Sequence, residues 1–136
     1  MEEEKIVNEI SAIDRNVGLL AGQIVQSLKN KIFFVAFCGL FTLAENSLIA
    51  QYKEKKTFQV LIKEAFDSNV IDEPEKLILD HLRQFRKLTI HSDPQQTSYI
   101  LGGTVYAFNE DSTYEFLMKR FSIDVLNTIK KIVMSK

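Results

Sequence analysis

Arg83, Arg86, Lys87 and His91 fall in one stretch, Leu82-Arg83-Gln84-Phe85-Arg86-Lys87-Leu88-Thr89-Ile90-His91, which ends a helical pattern and is cut off by Ser92-Asp93-Pro94. A histidine is the side chain best suited to take and return a proton near neutral pH, and guanidinium or ammonium groups hold phosphate and stabilise developing negative charge. Pro94 restricts Asp93 to extended backbone, which puts His91 near the helix end. There the negative end of the helix dipole favours the imidazolium form, while Arg83, Arg86 and Lys87 oppose it, so titration near neutrality is expected. Geometry limits how the pair Arg86 and His91 acts. At 100° per residue, positions 86 and 91 stand about 140° apart around one ideal helix. A joint site therefore requires the helix to end before His91, or a second subunit to bring its own pair opposite. A purely structural role stays open: a histidine at a helix C-terminus caps carbonyls, and an arginine on a helix shoulder covers apolar surface with its stem.

The spacing of an arginine, four residues and a histidine, Arg86 to His91, at the end of a helix in a small all-α chain resembles the HEPN family. Only those two positions carry over, and Lys87 stands where active members commonly have a small polar Asn or Asp. The resemblance implies metal-independent RNA cleavage in a cleft usually formed by two subunits. His91 would move the proton and Arg86 hold the phosphate, with Arg83 and Lys87 as neighbouring RNA contacts. It also implies a homodimer, RNA as substrate, a toxin or host-defence role, and an antitoxin or nucleotidyltransferase as partner.

Composition bounds these readings. The 136 residues, 46% hydrophobic and 26% charged, suit one globular domain spanning 1–136, and a net charge of −1 limits RNA contact to something local or brief. The lone Cys38 cannot form an internal disulfide and is expected to pack as a small hydrophobe, which fits a reducing cytoplasm. The acidic start Met1-Glu2-Glu3-Glu4 lacks the positive charge of a secretory signal. The apolar run Ile32–Ala44 falls short of the roughly 20 residues a membrane span needs. A soluble, cytoplasmic protein is expected, with no membrane association and no cofactor.

Four helices and a short fifth are predicted. Ile6, Ile10, Ile13, Val17, Leu20, Ile24 and Leu28 recur in steps of three and four, which predicts one helix from Glu3 to Asn30. The segment Ile32 to Tyr52 is apolar on nearly every side and must be central. Within it Glu45 needs an exit to solvent or a basic partner near Arg86. Thr57 can cap a short helix carrying Phe58, Leu61, Ile62, Ala65 and Phe66. Asp72-Glu73-Pro74 opens the helix bearing the cations, whose inward stripe is read as Ile78, Leu82, Phe85 and Thr89. His81 is read as a surface or boundary residue. Residues 95–110 contain a Gly102-Gly103 turn, but Thr104–Phe108 has no evident sheet to join, and a helical or irregular segment is equally compatible. Ser112 and Glu115 match a capping box for the final long helix. The sum is an all-α, four-helix up-and-down bundle with a short extra helix, HEPN-like.

Other chemistry is disfavoured. Two histidines ten residues apart and one remote cysteine give no zinc-ligand spacing, so no metal is expected. His91-Ser92-Asp93 cannot act as a hydrolase triad, because adjacent residues do not align nucleophile, base and orienter. Three readings stand: a HEPN-like endoribonuclease, an inactive HEPN-like dimer binding a nucleotide or regulatory protein, and an unrelated bundle acting through protein contacts.

Overall fold

The computed structural model describes residues 1–53, 56–91 and 98–135, and gives Thr89, Ile90, His91 and Tyr99 by backbone alone. Its elements run α1 (Glu2–Ile13), α2 (Arg15–Lys29), α3 (Phe33–Tyr52), α4 (Phe58–Asp67), α5 (Glu73–His91), β1 (Ser98–Leu101), β2 (Thr104–Ala107) and α6 (Asp111–Met134). The protein is mostly helical, as expected. The apolar segment is α3, lying against α2, α4, α5 and α6, and α6 in turn packs on α1 and α5. One hydrophobic cluster draws on each of α1 to α6, with Phe37, Phe41, Leu40, Phe85 and Leu117 among its fully buried side chains.

By length and composition α3 could cross a membrane, yet its Ala36, Phe37, Leu40, Ala44 and Leu48 are fully buried in this fold. Two of its hydroxyls are satisfied within the helix: Thr42 donates to the Cys38 carbonyl and buried Ser47 to that of Leu43. Cys38 is half-buried rather than enclosed, and desolvation pushes its thiol pKa up.

The single first helix read from the periodicity is two helices. Asp14 adopts an extended backbone (φ −140°, ψ 106°), and its carboxylate accepts from the Asn16 and Val17 amides to start α2. The chain folds back so tightly that a Cβ on Gly18 would lie 2.6 Å from the Ser11 Cα. The break resets the phase of the apolar seam, so Ile13 and Leu20 are 44% and 47% exposed while Val7, Ala21 and Val25 take core positions.

Two helix starts follow the sequence. Thr57 Oγ1 accepts from the Val60 amide at 3.3 Å, and Asp72 and Glu75 exchange backbone-to-carboxylate bonds at 2.8 and 2.9 Å. The bond from the Glu75 amide holds the Asp72 carboxyl below its usual pKa. Pro74 falls in the first turn of α5, where its missing N–H goes unneeded. The inward stripe of α5 is led by Leu79 rather than Ile78: Leu79, Leu82 and Phe85 are buried and Ile78 is only partly so. The Thr89 side chain lies outside the described residues, as do Ser92-Asp93-Pro94.

The stretch after Pro94 is a β-hairpin where no sheet was evident, because its two strands form the sheet by themselves. β1 and β2 pair antiparallel from Ser98↔Ala107 to Leu101↔Thr104. Gly102 and Gly103 (φ +60° and +81°) supply the positive φ that a tight hairpin turn needs at both central positions. Tyr106 stacks on Phe116 with centroids 4.3 Å apart, anchoring the hairpin to α6. Ser112 does not cap α6: the helix begins at Asp111, and Thr113 donates instead to the Ala107 carbonyl at 2.6 Å.

The close approach at residue 18 gives a direct test of the α1–α2 turn. Gly18→Ala should destabilise the protein by about 1–3 kcal/mol in urea unfolding, because the new methyl meets backbone that cannot rotate away. Phe85→Ala, removing a ring packed between Phe37, Phe108 and Phe121, should cost about 3–5 kcal/mol. An unchanged midpoint for Gly18→Ala would mean that α1 and α2 do not meet there.

Candidate functional site

The short helix α4 lies against α5, and the start of one meets the basic half of the other. Between them is a cleft of about 370 Å³ lined by Thr57, Phe58, Gln59, Arg83, Arg86 and Lys87. The three cations singled out from the sequence therefore share one wall. Arg86 and Lys87 follow Arg83 by three and four residues, which keeps the three within about 100° of one another on one side of the helix while Leu82 and Phe85 enter the core.

Each cation is held differently. Arg86 Nη1 donates to Glu45 Oε2 at 2.6 Å, and its guanidinium lies 5.9 Å from the Phe41 ring centre. Both partners of that pair are mostly covered, with side chains 32% and 21% exposed. Glu45 thus finds its cation in Arg86 itself, the sharper of the two outcomes open to it. Arg83 Nε is buried without a hydrogen-bond partner among the described residues, and its nearest carboxylate oxygen, Asp80 Oδ1, is 3.8 Å away. That distance is too long for a hydrogen bond. Lys87 is exposed and makes no ion pair among the described residues.

His91 is the last residue of α5, and its side chain lies outside the described residues. Its backbone position has one consequence. Because α5 is helical through residue 91, positions 86 and 91 stand about 140° apart around its axis. A turn in the chain before His91, one of the two routes to a joint site, is not present. His81 sits at a boundary as expected, its ring 6.3 Å from that of Phe121 and its Nδ1 buried without a hydrogen-bond partner among the described residues.

Thr57, Phe58 and Gln59 were not read as site residues. The signal lay in the cap: a threonine starting a helix just before the basic helix puts its first turn within reach of the cations. Among the described residues no three His, Cys, Asp or Glu side chains cluster as metal ligands. What the cleft can do chemically is hold an anion against two or three cations, one of which already balances a carboxylate. Compared with protein-family models, with curated proteins and with solved structures, the chain matches none.

The Glu45–Arg86 pair should be measurable as a coupling. In a double-mutant cycle of Glu45→Gln and Arg86→Gln followed by urea unfolding, the interaction should amount to about 1–2 kcal/mol, between exposed and fully buried pairs. A coupling near zero would mean that solvent screens the pair and that Arg86 is not anchored by it.

Proposed function

We propose that the protein is a HEPN-like, metal-independent endoribonuclease of the cytoplasm, a toxin or host-defence effector, built as a dimeric helical bundle in which the pair α1 and α2 replaces the first of the four predicted long helices and α4 is the short extra helix. The observation that carries this reading is the convergence of Arg83, Arg86 and Lys87 on one cleft wall of the helix that ends at His91. Arg83 and Lys87 bind the RNA backbone. Arg86, with donors left over beyond the one given to Glu45, stabilises the charge that develops on the scissile phosphate.

His91 takes the proton of a ribose 2′-OH, whose oxygen attacks the adjacent phosphorus. The P–O5′ bond breaks and the leaving oxygen is protonated, giving a 2′,3′-cyclic phosphate and a 5′-hydroxyl end. The substrate is RNA because DNA lacks that hydroxyl. Since positions 86 and 91 of one helix face different directions, the arginine of one subunit works with the histidine of a second across a two-fold axis. An antitoxin or nucleotidyltransferase would be the natural partner, covering the cleft or silencing it.

One observation favours a second reading. Arg86 is tied to Glu45 and lies over Phe41, which would also suit a structural arginine in an inactive dimeric module that binds a nucleotide or a regulatory protein.

Purified wild-type protein should cleave single-stranded RNA in the presence of EDTA, and His91→Ala should lower the rate at least about a hundredfold without changing the unfolding midpoint. RNA left intact by the wild type, or cut equally by His91→Ala, would remove the catalytic reading. Sedimentation should give a dimer at micromolar concentration, and a monomer there would leave Arg86 and His91 unable to act together.

A further inference from the structure

A second cavity of about 420 Å³ opens beside the cationic cleft along the α4–α5 groove, and the two share Gln59 and Arg83. Its apolar lining comes from Val60, Ile62 and Phe66, with Asp80 and Gln59 offering polar groups. The charges there are largely settled. Lys63 binds Asp67 at 3.1 Å and Lys76 binds Asp80 at 2.9 Å, so each carboxylate has its own lysine. Arg83 is the third cation beside two carboxylates: it shares Asp80 with Lys76 at a loose 3.8 Å, its Nε is buried and without a hydrogen bond among the described residues, and it lines both cavities.

We infer that this cavity is a nucleobase subsite: it takes the base of a nucleotide whose phosphate lies on Arg83, and so selects which base flanks that phosphate. The volume falls within the roughly 300–1,000 Å³ of small-ligand clefts. A nucleobase also has the matching chemistry, with flat faces that pack on apolar and aromatic side chains and polar edges that hydrogen-bond. The Gln59 amide offers both a donor and an acceptor to such an edge, and Asp80 is an acceptor. The link to RNA rests on the proposed function, whereas the occupant, a nucleoside monophosphate unit, rests on the cavity and on Arg83.

The test is calorimetric titration of the full-length protein with the four nucleoside 3′-monophosphates and with inorganic phosphate, alongside the RNA cleavage assay. At least one nucleotide should bind tenfold or more tightly than phosphate, and the four should differ among themselves. Val60→Trp, which fills the cavity from a residue outside the cationic cleft, should remove that preference while phosphate still binds. Arg83→Ala should weaken nucleotide and phosphate together. Nucleotides binding no better than phosphate, or binding unchanged in a folded Val60→Trp protein, would overturn the subsite. Cleavage of RNA with an unaltered base preference in Val60→Trp would sink the subsite and leave the ribonuclease reading standing. Nucleotide binding sensitive to Val60→Trp in a protein that cuts no RNA would do the reverse.

Discussion

The arrangement depends on one carboxylate in an otherwise uncharged helix. From Phe33 to Tyr52 the only Asp, Glu, Lys or Arg is Glu45, and α3 is the helix against which α2, α4, α5 and α6 pack. A carboxylate largely removed from water needs a partner held close, and the nearby cation comes from Arg86 on α5. The pair does more than neutralise. Apolar contact through Phe37 and Phe85 brings α5 against α3, but such contacts are non-directional and tolerate rotation of a helix about its own axis. A hydrogen bond at 2.6 Å does not. It restricts the rotation of α5 and thereby keeps Arg83 and Lys87 turned toward α4.

That constraint explains why a cleft forms beside α4. The capped start of α4 at Thr57 lies opposite the basic half of α5, and its cations share the outer wall with the helix's first turn. Charge along α5 is itself polarised, with Glu73, Glu75 and Asp80 early and Arg83, Arg86 and Lys87 later. Glu73 and Glu75 in the first turn complement the helix dipole and would stabilise the helix even without a ligand. The cations precede the last turn, and the dipole acts on them only weakly. It does not explain why three of them share a concave wall while the buried Nε of Arg83 has no hydrogen bond among the described residues.

Where the sequence was legible, a local rule decided the outcome. Thr57 and Asp72 start helices because a side-chain oxygen can reach an amide three residues on, and the core character of α3 and α6 follows from the number of their apolar residues. Reading failed where two local signals competed. The seam from Ile6 to Leu28 keeps a helical period across Asp14, so periodicity hid a break that the Asp14 cap and the missing Cβ of Gly18 made possible. Ser112 and Glu115 have capping-box spacing, but the hairpin delivers the chain so that Thr113 bonds back to Ala107 and the helix starts earlier. The hairpin was illegible for another reason. Among the described residues its strands pair only with each other, and its register is fixed by positive φ at Gly102 and Gly103 and by Tyr106 on Phe116, a contact with no trace in local pattern.

The candidate site was legible in its cations and not in its shape. Spacing alone brings Arg83, Arg86 and Lys87 to one side of a helix, whichever fold surrounds it. That the same side meets α4, and that Arg86 is answered by Glu45 forty-one residues earlier, are tertiary facts. They also sharpen the relation between Arg86 and His91. A helix stop at Ser92-Asp93-Pro94 leaves room for the chain to turn before His91, and the continuation of α5 through residue 91 removes that room. Two residues five apart on a continuous helix leave its axis about 140° apart, so the physics of the helix, rather than any likeness to other proteins, is the reason a chemistry shared by Arg86 and His91 would call for two chains.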